Sequence, residues 1–83
     1  MKLPTARQLQ VFHLRCEGKT FAQIGVELGI NKTTATQLAS SCAIRVLQNE
    51  HRDSMVRNAA LARQHFPYIA GRYKPKKRVE EMA

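Results

Sequence analysis

Apolar residues recur along most of this chain at spacings of three and four, the period of helices that bury one face. Leu9, Phe12 and Cys16 define a first stripe. Ala6 and His13 sit on its edge, and Val11 and Leu14 widen it toward a second neighbour. Thr5 with Gln8 three positions on makes a capping box, and Gly18 suits the residue just past the end, which predicts a helix over 6–17. Phe21, Ile24 and Leu28 mark a second helix over 21–28, capped by the Thr20/Gln23 box. Gly25 falls inside it at a cost of about 1 kcal/mol against Ala, so a close approach of the next helix is expected there. Gly29 permits a left-handed turn, Ile30 fills the corner, and Asn31 caps a third helix from Lys32 to Leu47.

The third helix has two faces. Ala35, Leu38, Ala39, Cys42 and Val46 put small and apolar groups on one stripe. Thr33, Thr36, Gln37 and Ser40 form another that is uncharged, short and rich in hydrogen-bonding groups. A charged mixture is the ordinary finding on a solvated face, and this stripe has none. Gln can pair bidentately with adenine and Thr methyls can pack on thymine methyls, so the face suits a major-groove reader.

Residues 48–53 are polar and predict a loop, with helical continuation as the alternative. A fourth helix is expected from Asp53 or Ser54, either able to cap it, with Met55, Ala59, Ala62 and Phe66 as its apolar stripe and Pro67 as its end. Helical periodicity is lost beyond. The expected organisation is one domain over 1–67 and a basic arm over 68–83, with Arg72, Lys74, Lys76, Lys77 and Arg78 able to track a DNA backbone or serve solubility.

At 83 residues the chain fits a single domain. A domain of this size buries only about 60% of its unfolded surface and has little room for an enclosed catalytic cavity. Fourteen Lys and Arg against six Asp and Glu give a formal charge of +8, which favours a polyanionic partner, nucleic acid before anionic membrane. Cys16 and Cys42 lie far apart, outside any C-x-x-C or Cys/His cluster, and read as reduced buried thiols. His13, His51 and His65 lack ligand spacing, so no metal or cofactor is expected. No apolar run could span a membrane, and the first residues have no apolar segment of a signal peptide, so a cytoplasmic protein is expected. Paired carboxylates, H-E-x-x-H, a phosphate loop and G-x-S-x-G are all missing, so an enzyme is not expected.

The span from Thr5 to about Leu61 resembles the LuxR/GerE-type helix-turn-helix domain, a four-helix DNA-binding module of bacterial regulators. Thr5, Gln8, Val11, Phe12, Cys16 and Gly18 follow its first-helix pattern. Thr20, Ile24, Gly25, Leu28, Gly29, Ile30 and Asn31 follow its turn, and Thr34, Ala35, Arg45 and Val46 stand in its third helix. Arg52 with Val56 and Ala59 continues the likeness. The chain departs from the family at Lys32, where Glu is usual, at Leu38, where His is usual, and at Thr36 and Ser40, where Lys is frequent. Sigma-factor regions that bind the upstream promoter element share a similar helical plan.

The fold expected is therefore all-α, a four-helix domain with a basic arm. The function expected is a stand-alone, sequence-specific transcriptional regulator that binds double-stranded DNA, of bacterial or phage origin. Thr33, Thr36, Gln37 and Ser40 are the expected base readers. Lys19, Thr20, Lys32 and Thr34 are the expected phosphate contacts, with Arg45 and Arg7 as weaker candidates. The resemblance implies a homodimer through the fourth helix, by Met55, Ala59, Ala62 and Phe66, with an ordinary core stripe as the alternative. Rival readings are a protein-interaction module contacting RNA polymerase or another regulator, and a phage-type DNA packaging or recombination accessory protein.

Overall fold

The computed structural model describes residues 2–72. Five helices follow one another: α1 Ala6–Cys16, α2 Phe21–Leu28, α3 Lys32–Gln48, α4 Asp53–His65 and the single turn α5 Pro67–Ala70. No strand occurs among the described residues. Four-helix expectation gives way to five only because of that last turn.

The helix starts follow from side chains that satisfy orphan backbone donors. Thr5 accepts from the Gln8 N–H at 3.2 Å while the Gln8 amide oxygen accepts from the Thr5 N–H at 2.9 Å. Thr20 and Gln23 repeat this at 3.1 and 2.9 Å, and the Asn31 side chain accepts from the Thr34 N–H at 2.7 Å. Gly18 (φ 101°) and Gly29 (φ 70°) make the left-handed turns after α1 and α2. A Cβ on Gly25 would stand 2.6 Å from the Ile30 carbonyl oxygen, so the close approach expected there is made by the turn leading into α3.

Helix α3 runs through the middle and packs against each of the other four. Ala35, Ala39, Cys42 and Ala43 are fully buried along it. Such small side chains let neighbouring helices approach closely. Because α3 is flanked on several sides, Ala43 and Leu47 are buried as well as the expected stripe, while Leu38 is only half-buried. Val11 and Phe12 carry the buried face of α1, and Leu9 and Cys16 lie at its margin. The Phe12 and Phe66 rings stack at 5.5 Å, which closes the core between α1 and the end of α4.

The second half of the chain differs from expectation in three ways. The turn at 49–52 is present, but neither Asp53 nor Ser54 caps α4. Arg52 is the N-cap in extended backbone without a side-chain bond, and Asp53 is already inside the first turn, where its charge complements the helix dipole. Pro67 does not simply end the helical region. Its ring disfavours helical backbone at Phe66 (φ −129°, ψ 56°), which breaks the chain after His65. Pro67 then opens α5, where its missing N–H has no cost. Ile69 of α5 is buried against the core, so packed structure extends beyond the boundary expected at residue 67.

The third correction concerns the residues expected to meet a second copy. Met55, Ala59, Ala62 and Phe66 retain at most 8% exposure and line this chain's own core. They recur at helical spacing because α4 packs on α3, and the surface of α4 is formed instead by residues such as Val56, Arg57, Ala60 and Gln64.

Candidate nucleic-acid interface

The fully exposed residues of α3 all lie in its first two turns. Lys32, Thr33 and Gln37 are its exposed residues, and Thr34, Thr36 and Ser40 are half-buried. None of the four expected base readers lies in the core. Thr33, Gln37 and Ser40 share one stripe, whose continuation at Ile44 and Gln48 is half-buried, with Ile44 packed against the core. The Thr36 hydroxyl donates to the Lys32 carbonyl at 2.9 Å, which commits its proton and leaves the methyl and an oxygen lone pair for other partners.

Two helix N-termini precede this face along the chain, those of α2 and α3. Neither has an acidic residue in its first turn. Helix starts carry partial positive charge, and acid-free ones favour an external anion. Lys32 opens α3 and is exposed, and Lys19 directly precedes the cap of α2. Thr20 accepts the Gln23 N–H, so its oxygen serves the capping box while its own proton is free to donate. The Thr34 N–H is taken by Asn31.

Lys19 is paired. Its Nζ lies 2.8 Å from Oε2 of Glu27, and this hydrogen bond raises the Lys19 pKa above its ordinary value. Arg45 lies elsewhere. It is about a third of a turn around α3 from Thr33, and its guanidinium donates to the Gln8 amide oxygen at 3.0 Å. Nothing brings it to the face formed by Thr33 and Gln37. Arg7 donates to Gln10 at 3.3 Å on the outside of α1. Arg72 is exposed just beyond α5, whereas Lys74, Lys76, Lys77 and Arg78 lie outside the described residues.

Two positioning residues were not singled out from the sequence. Arg15 donates to the Lys19 carbonyl at 3.0 Å and lies 5.2 Å from the Phe21 ring centroid, so it ties the end of α1 to the start of α2. A basic residue in the last turn before Gly18 was the available signal. Asn49 is buried in the α3–α4 turn and donates through Nδ2 to the Arg45 carbonyl at 2.8 Å and the Lys2 carbonyl at 3.1 Å. Its partner at Lys2 is too distant in sequence to have been anticipated.

Among the described residues no group of three His, Cys, Asp or Glu side chains could hold a metal ion, and no helix is long and apolar enough to cross a membrane. His13 pairs with Asn58 at 2.9 Å across α1 and α4. Burial raises both thiol pKa values, with Cys42 pushed up to about 12. The outer face of α2 bears a shallow apolar depression lined by Ala22, Gln23, Val26 and Glu27.

No protein-family model matches this chain, nor does any curated protein or solved structure.

Proposed function

We propose that this chain is a LuxR/GerE-like helix-turn-helix protein that binds double-stranded DNA in a sequence-specific manner and regulates transcription. The observation that carries the reading is the start of α3, where exposed Thr33 and Gln37, with half-exposed Thr36 and Ser40, form an uncharged hydrogen-bonding face at an acid-free helix start. Reading helices contact base edges mainly through their N-terminal residues, and this is the part of α3 that is open. In the proposed complex Gln37 and Thr33 meet base edges, Thr36 and Ser40 contribute at the margin, and Lys32, Thr20 and Lys19 take backbone phosphates. Pairing on an inverted site belongs to the proposal, through surfaces other than Met55, Ala59, Ala62 and Phe66.

Selection of bound sequences from a random duplex pool, followed by affinity measurements over a salt series, tests the reading. A regulator of this kind prefers its selected site by about 10³-fold or more over random duplex. Equal affinity for both, with a steep salt dependence, would instead mark an accessory protein that coats DNA. A second reading, a protein-docking module, has the 87% exposed Val26 in its favour. It requires that Val26→Lys abolish function while DNA selectivity is unchanged.

A further inference from the structure

Lys19 is drawn away from the helix start that it precedes. The residue next to the cap of α2 has the dipole of that helix beside it and no acid in the first turn to occupy the site. Yet its Nζ sits 2.8 Å from Oε2 of Glu27, about two turns further along α2, with the two side chains 40% and 46% exposed. Glu27 is itself oddly placed for α2. It lies in the last turn, where the dipole disfavours a negative charge, and no basic residue of that turn offsets it. Helix stability therefore does not account for an acid at 27. Its one ion-pair partner among the described residues is Lys19.

We propose that Glu27 tempers DNA affinity by standing in for a backbone phosphate on Lys19. The proposal rests on the DNA-binding reading above. In the free protein the carboxylate holds the ammonium. On loosely held DNA the pair persists, and one cation is withheld from the backbone. A duplex seated on α3 brings a phosphate to the start of α2, and Lys19 exchanges its carboxylate for it. An exposed pair of this kind is weak enough for such an exchange. Holding back one cation lowers sequence-independent affinity, and breaking the pair costs the seated complex at least as much, so Glu27 weakens binding to every duplex.

The test is a double-mutant cycle with Glu27→Gln and Lys19→Gln in the full chain, read on a random-sequence duplex of about 20 base pairs over a salt series and on the selected duplex. Glu27→Gln should tighten binding to the random duplex about three- to fivefold and steepen the salt slope there by up to about 0.9, with a gain at least as large on the selected duplex, where the wild-type chain must break the pair. With Lys19 already replaced, Glu27→Gln should change affinity by about twofold or less. An equal gain in both backgrounds would show that Glu27 merely repels DNA, and the latch would fail. An unchanged slope in Glu27→Gln, with the wild-type chain binding normally, overturns the latch and leaves the DNA reading intact. A wild-type chain that binds neither duplex overturns both.

Discussion

Gly25 and Ile30 meet where no side chain fits: a Cβ at 25 would lie 2.6 Å from the Ile30 carbonyl oxygen and 3.4 Å from the Asn31 carbonyl carbon. The Ile30 N–H in turn donates to the Gly25 carbonyl at 2.9 Å. This contact fixes how α3 leaves α2. Gly25→Ala should therefore destabilise the fold by about 1–3 kcal/mol although Ala is the better helix former. Gly29→Ala meets nothing within 4 Å and carries only the strain of its positive φ, about 1 kcal/mol. Urea unfolding of the two variants checks the order. A milder effect at Gly25 would mean that the turn shifts freely.

The core position of Phe66 gives a second expectation. Phe66→Leu removes the stacked contact with Phe12 and should cost about 1–3 kcal/mol. Since the residue packs within one chain, any dependence of the midpoint on protein concentration should be the same in the wild-type chain and the variant. A wild-type midpoint that climbs with concentration, and a variant that loses this rise, would restore Phe66 to a contact between copies.

Cys42 gives a pH dependence. Its thiol has an ordinary pKa of 9.0 when unfolded and about 12 in the fold. A group whose pKa is raised by folding stabilises the native state fully below its unfolded pKa. That contribution is lost as pH rises from 9 toward 12, because the unfolded chain can ionise first. Between pH 8 and pH 10 the loss from this thiol should be about 1.4 kcal/mol. Unfolding curves at both pH values, set against Cys42→Ala to subtract the other groups that titrate there, measure it. Equal losses in the two proteins would remove the effect.

At the proposed interface two substitutions should behave differently. Gln37→Ala should relax sequence preference at one base pair, at about 1–3 kcal/mol of discrimination, in a repeated site selection. Lys32→Ala should weaken all duplexes alike and lower the salt slope by about 0.9. A change of preference caused by Lys32→Ala, or none by Gln37→Ala, would reverse these assignments.

The first half of the fold was legible because its signals are local. Thr5 with Gln8, Thr20 with Gln23, and Asn31 announce helix starts within four residues, and each makes its cap. Gly29 announces the turn in the same way. Where a residue's role depends on what crosses it, the sequence was mute. The apolar period of Met55, Ala59, Ala62 and Phe66 was plain, but period alone does not say whether α3 or a second molecule covers it. Pro67 reads as a stop in the sequence, although a proline can both break one helix and open the next. The charge of Arg45 is visible in the sequence and suits a phosphate, whereas its bond to Gln8 across α1 and α3 is not visible there.

The narrow opening of α3 has a numerical consequence for the proposed contact. Two helical turns advance about 11 Å, and stacked base pairs repeat every 3.4 Å or so, so one chain can inspect only about three letters. A three-letter word recurs by chance about once in every 64 positions even before orientation is considered, far too often to mark a single locus among the ~10⁶ or more that a genome presents. Addressing one locus would take several copies side by side, or a companion that reads the neighbouring letters.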